Sequence, residues 1–169
     1  MEILTLINIE GVSDEEAASY KAREAARAVV FDEKDQVALL HGTRDEYYKL
    51  PGGGIEAGED RMAALARECL EEIGCRIEVI GDLGSIVEYR KKYSLKQTSY
   101  CYLSKLKGEK GQPRLEEGEI AEGFVTEWMP LNEALEAVAR SRPDTYEGPY
   151  MVARDRFFLE AAVRRLRLV

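Results

Sequence analysis

The chain has 169 residues, 45% of them hydrophobic and 33% charged, with 32 acidic against 24 basic side chains and a formal net charge of −8. That length suits one domain with a real core, the acidic balance excludes a broad surface for nucleic-acid backbone, and no apolar run reaches the length of a membrane span. Three cysteines, Cys69, Cys75 and Cys101, form no CxxC pair, which excludes a disulfide framework or a zinc knuckle and reads as reduced, structural thiols.

Residues 1–8 are apolar but lack a basic leader and a long hydrophobic stretch, so a cytoplasmic protein is expected. Residues 1–24 read as a lead-in segment, with 14–24 a short helix or mobile stretch capped by Ser13 or Asp14, and residues 25–169 as the main domain. Runs at 26–31 and 36–41 are β-rich and flank the polar turn at 32–35, the signature of a hairpin. Residues 47–50 predict a third short strand, ended by Pro51 and the glycines 52–54, which cannot continue a regular ladder. Asp60 then caps a helix over the following turns.

Two long strands forming a hairpin are predicted at 76–90 and 96–107 from their β-branched and aromatic content. Residues 108–123 show no periodicity and read as a loop. A strand at 124–129 precedes a helix opened by Pro130 and Asn132 and running through Arg140, and Pro149 precedes a last helix ending near Leu166. In that helix Phe157, Phe158, Leu159, Ala162, Val163 and Leu166 recur at helical spacing as core, with a leftover apolar edge that would suit a homodimer; monomer and homodimer both remain open. Strands interleaved with a central and a terminal helix indicate an α/β protein with helices on both faces of a mixed sheet.

The chemistry concentrates in the helix after the glycine turn. At 100° per residue, Met62, Leu65, Ala66, Cys69 and Ile73 form an apolar stripe, while Glu68, Glu71 and Glu72 share one face about 100° wide turned away from it. Three like charges so close destabilise a helix, and a divalent cation reverses that cost; magnesium suits carboxylate oxygens together with substrate phosphates. The spacing runs Gly53, five residues, Glu59, seven residues, Arg67-Glu68, an apolar residue, any residue, Glu71-Glu72, any residue, Gly74, and an apolar residue. This resembles the Nudix box at every fixed position, with cysteine in both apolar slots, Cys69 and Cys75, where the family more often has an aliphatic residue.

The resemblance to the Nudix hydrolase family (MutT-like) implies an α/β/α sandwich around a mixed sheet. It also implies magnesium-dependent hydrolysis of a pyrophosphate bond in a nucleoside diphosphate derivative, with manganese a substitute. On residue-by-residue carry-over, Glu68 and Glu72 are the principal metal ligands, and Glu71 is a third ligand or the group that orients or deprotonates water. Gly53 offers its backbone carbonyl to the metal, and Arg67 supports the cluster by pairing with Glu59. A general base outside the box points to Glu119 or Glu122, each weighed against a solvated loop residue. Arg27, Arg44, Tyr47 and Lys49 are substrate-binding candidates, the arginines for phosphate and the tyrosine for base stacking.

Tyr89, Tyr93 and Tyr100 with Lys91, Lys92 and Lys96 make a further basic-aromatic cluster, and His41 reads as a packing residue. A small-molecule nucleotide is the expected partner, with no polymeric nucleic acid and no membrane. Nucleoside triphosphates or modified nucleotides rank first as substrates, then dinucleoside polyphosphates and sugar nucleotides. A non-catalytic nucleotide sensor is the competing reading; intact box carboxylates favour catalysis.

Overall fold

The computed structural model describes residues 1–167, so the last two residues of the 25–169 span lie outside the described residues. The elements in order are β1 (Ile3–Ile7), α1 (Asp14–Ala17), β2 (Lys21–Phe31), β3 (Gln36–Gly42), β4 (Tyr47–Lys49), α2 (Arg61–Glu72), β5 (Ile77–Arg90), β6 (Leu95–Leu106), α3 (Glu117–Ala121), β7 (Phe124–Pro130), α4 (Leu131–Arg140) and α5 (Gly148–Arg167). Seven strands form one mixed sheet in the order β1-β5-β6-β2-β3-β4, with β7 on β3. β1 runs parallel to β5 and β2 parallel to β6, while β5 and β6 form the expected antiparallel hairpin.

Alternation along the strands divides the core between the two faces. Val29, Phe31, Leu39, Cys101 and Leu103 pack against Ala134 and Val138 of α4 and Tyr150, Phe158 and Leu159 of α5. Ala26, Ala28, Val30, Leu40 and Tyr102 pack against Ala64, Leu65 and Cys69 of α2. This is an α/β/α sandwich. All three cysteines are buried and unpaired. Among the described residues no helix is long and apolar enough to cross a membrane.

Five features depart from the sequence expectations, the first being that residues 3–7 of the expected lead-in form β1 and join the sheet beside β5. β2 begins at Lys21, earlier than the expected residue 26, because parallel pairing with β6 extends it. β2 and β3 pair only at Phe31 and Val37 beside their turn; beyond it they splay, and the glycine segment lies along β2 in their place. Ala28 N–H donates to Pro51 O (3.1 Å), Ala26 N–H to Gly53 O (3.0 Å) and Ile55 N–H to Glu24 O (3.0 Å). Residues 108–123 are not all loop, since they contain α3, closed by a reciprocal capping box between Glu116 and Glu119. In α5, Phe157 (37% exposed) and Leu166 (44%) face outward, and the helix buries Phe158, Leu159, Ala161 and Ala162.

Candidate active site

Asp60 caps α2 by accepting hydrogen bonds from the N–H groups of Met62 and Ala63 (both 2.8 Å). The helix does not turn its carboxylates away from the core. Its inward face carries Ala64, Leu65, Cys69 and Glu72, and Met62 and Ala66, both expected in the buried stripe, are exposed. Glu68 and Glu72 lie one turn apart on the edge of this face nearest the glycine segment. The wheel misplaced them because hydrophobicity alone put Met62 in the stripe, whereas the cleft beside α2 is polar enough to take carboxylates.

Glu72 is only 3% exposed. It accepts a short hydrogen bond from Gly52 N–H, and Lys49 Nζ stands 3.3 Å from its other oxygen. Burial nevertheless dominates these partners and pushes its pKa up to about 7. Glu68 is also raised by burial, opposed by Arg67. Gly53 lies directly against Glu68: a Cβ there would come within 2.3 Å of Glu68 Oε1. Gly52, at φ +125°, would place a Cβ 2.2 Å from Ala26 O, so the turn at that position needs glycine.

Arg67 organises the outer side of the cluster. It forks onto Glu59 through Nε and Nη2 (both 3.0 Å), reaches Glu68 (2.8 Å) and Glu71 (3.2 Å) through Nη1, and donates to Gly54 O (3.1 Å). The pairing with Glu59 expected from the sequence is present, and the Glu59 bond leads the set of contacts that hold the guanidinium proton more firmly than usual.

A cleft of about 240 Å³ brings together Arg27, Lys49, Gly53, Glu68, Glu71 and Glu72, with Glu116 and Glu119 of the α3 region on the opposite wall. Glu119 Oε1 lies 4.0 Å from Lys49 Nζ. Glu122 is turned elsewhere and accepts a short hydrogen bond from the Tyr47 hydroxyl. Tyr47 is buried with its ring edge-on to Phe124, which leaves no open face for stacking a base. Arg44 is outside the cleft, paired with Asp45 (2.8 Å) on the surface. His41 packs as expected, its ring stacked on Tyr48 and its Nδ1 2.7 Å from Glu127.

The donor set, all hard oxygens crowding one buried cleft, fits a small divalent cation. Among the described residues no three acidic, histidine or cysteine side chains already converge as a ready-made metal cluster. Burial is the leading cause that raises the pKa of both Glu68 and Glu72, and a cation placed between them would oppose it.

Sequence reasoning missed the wall beyond Arg27, where Arg23, Gln97, Arg90 and Arg154 approach from β2, β6, β5 and α5. The available signal was charged residues at inward strand positions, Glu88 and Arg90 on β5 above all.

A family model described as the NUDIX domain matches residues 21–147. Diphosphoinositol polyphosphate phosphohydrolase 2 of Rattus norvegicus is 27% identical over 127 residues, 73% of this chain and 66% of that protein, so the match spans just under two thirds of the relative. RNA pyrophosphohydrolase of Sulfurovum sp. (strain NBC37-1) is 31% identical over 126 residues, 69% of this chain and 80% of that one. Among solved structures, a NUDIX hydrolase from Nitrosomonas europaea superposes with a TM-score of 0.62 at 18% identity, covering 86% of this chain and 90% of its own. The MutT protein from Methanosarcina mazei Go1 does so at 0.60 and 17%, covering 87% and 96%. At these identities the structural likeness speaks for the fold.

Proposed function

Since the chain belongs to the Nudix family, we propose that it is a divalent-metal-dependent pyrophosphohydrolase acting on a nucleoside diphosphate derivative, with nucleoside triphosphates and modified nucleotides first in rank. The observation that carries this reading is the burial of Glu72 beside Glu68 in a polar cleft, an arrangement that is costly for the free protein and favourable around a cation. Glu68, Glu71 and Glu72, with the Gly53 carbonyl, are the residues that would hold magnesium or manganese. Bound there, the ion supplies neutralisation of phosphoryl charge and a more acidic water.

The remaining roles fall to the chain's own side chains. Arg27 and Lys49 hold phosphoryl oxygens. Arg67 keeps Glu68 and Glu71 in place through its fork on Glu59. Water forms a bond to phosphorus as the bridging P–O bond breaks, and Glu119, facing the cleft from α3, takes the proton that water gives up. Position in the cleft favours Glu119 over Glu122. The test is phosphate and pyrophosphate release with magnesium across nucleoside triphosphates, oxidised guanine nucleotides, sugar nucleotides and dinucleoside polyphosphates, beside Glu72→Gln. The names of the rat and Sulfurovum relatives add a diphosphoinositol polyphosphate and a pyrophosphate-bearing RNA to the panel. A hit lost in the variant supports the reading; nucleotide binding without turnover in any arm replaces it with a sensor.

A further inference from the structure

Beyond Lys49 and Arg27 the cleft opens into a second pocket, of about 320 Å³, on the α5 face of the sheet. Four guanidinium groups approach it from three elements: Arg23 and Arg27 from β2, Arg90 from the end of β5, and Arg154 from α5. Two buried carboxylates stand behind them. Glu88 receives Arg90 and, at 3.6 Å, Arg154; Asp155 receives Arg154 at 2.7 Å. Arg90 and Arg154 are therefore ion-paired within the fold and held in place by it. Among the described residues Arg23 and Arg27 make no ion-pair contact of their own: Arg23 donates to the neutral amide oxygen of Gln97, and Arg27, 8% exposed, has a buried Nε with no hydrogen-bond partner.

A buried, unpartnered guanidinium nitrogen is costly unless something that accepts hydrogen bonds arrives. Burial, then the charge of Arg154, lowers the Arg27 pKa to about 10 against the opposing charges of Asp155, Glu72 and Glu68, and burial with Arg90 and Arg154 lowers that of Arg23 against Glu88 and Glu68. The carboxylates on the outer wall do not supply the missing acceptor. Glu116, Glu119, Glu122 and Glu147 line that wall, yet among the described residues none reaches Arg27 Nε, and Glu122 and Glu147 are turned to the Tyr47 and Tyr93 hydroxyls. The aromatic rings in this wall are occupied as well, since Lys49 Nζ sits 4.3 Å from the centroid of Phe124. Gly54 leaves the approach to Arg23 open, because a Cβ there would come within 2.8 Å of Arg23 Nη2.

We propose that this pocket, with Arg23 and Arg27 as its donors and the ion-paired Arg90 and Arg154 as its fixed wall, binds a phosphoryl group of the substrate that lies outside the scissile pyrophosphate. The proposal rests on the hydrolase reading only for the identity of the ligand's remainder. Arginine forks match the oxygens of a phosphoryl group, and no free ring face competes for a base. The preferred substrate then carries phosphate beyond the bond that is cut.

The test is calorimetric titration of inorganic tripolyphosphate into metal-free protein, followed by its use as an inhibitor of turnover. Wild-type protein should bind, with affinity falling as salt rises, and Arg23→Gln should weaken binding about tenfold, the loss of one charge-assisted contact. Arg140→Gln, which removes an exposed charge paired with Glu136 on α4, should leave binding unchanged. In kinetics, tripolyphosphate should raise KM and leave kcat alone. Absence of binding, or equal binding by Arg23→Gln and wild type at matched thermal stability, overturns the proposal. A fall in kcat at constant KM overturns the assignment to the substrate's own phosphoryl group, as a free phosphate acting elsewhere would do. Glu72→Gln should still bind tripolyphosphate, so a protein that hydrolyses nothing but binds through Arg23 refutes the hydrolase reading and leaves the anion site standing.

Discussion

Replacing Glu72 by Gln should stabilise the metal-free protein while abolishing turnover. Burial lifts the Glu72 pKa from 4.5 to about 7, with Lys49 and Arg27 opposing only part of the effect. A carboxyl whose folded pKa lies above its unfolded value contributes stability fully below the lower value and loses it as pH rises through the upper one. At 1.36 kcal/mol per unit, the ionised side chain costs the free protein about 3 kcal/mol above pH 7. Gln escapes that cost but its single carbonyl oxygen cannot satisfy both Gly52 N–H and Lys49, which returns about 1 kcal/mol. The net gain of about 2 kcal/mol at pH 8 corresponds to a Tm rise of about 4–8 °C for a chain of this size. Thermal melts in chelator at pH 5, 6, 7 and 8 read it directly: the variant should lead at pH 8 and the gap should close by pH 5. Magnesium should raise the Tm of wild type at pH 8 far more than that of Gln. A variant that melts below wild type at pH 8, or a gap independent of pH, refutes the argument that a buried, uncompensated charge sits at this position.

Three further outcomes separate the parts of the site. Gly53→Ala drives a methyl group into the Glu68 carboxylate, so turnover should fall at least about tenfold with a Tm within a few degrees of wild type; unchanged kinetics would remove Gly53 from the site. Gly52→Ala meets the backbone at Ala26 and a strained φ, and should lose about 3 kcal/mol or more in urea unfolding, whereas a loss below about 1 kcal/mol would contradict the close approach. Glu119→Gln should lower kcat by about 100-fold or more with folding intact, and Glu122→Gln should not; the reverse order would move the base to Glu122.

Much of the frame is readable in the sequence because its signals are local. Asp60 as a cap, the glycine break after Pro51 and the β5–β6 hairpin each follow from neighbours within a few residues. The box spacing likewise carries Arg67 to Glu59, since Glu59 directly precedes the Asp60 cap and Arg67 lies about two helical turns along α2. What sequence alone misses depends on contacts distant along the chain. The inward turn of Glu68 and Glu72 requires a polar cleft made by Lys49, Arg27 and the Gly52 amide. The site role of α3 depends on its placement by the C-terminal end of α2, where Arg114 N–H donates to Glu71 O (2.6 Å) and Gly111 N–H to Gly74 O (3.1 Å). Tyr47 and Arg44 failed to reach the cleft because Glu122 and Asp45, unremarkable as letters, capture them.

The splay between β2 and β3 gives the glycine segment the mechanical character of a strand. Its backbone is tied at three points to a strand that is itself held by β6 along its whole length, so the carbonyl of Gly53 and the amide of Gly52 have no disorder left to lose when a ligand arrives. Ordering entropy is settled at folding, and binding free energy goes into contacts.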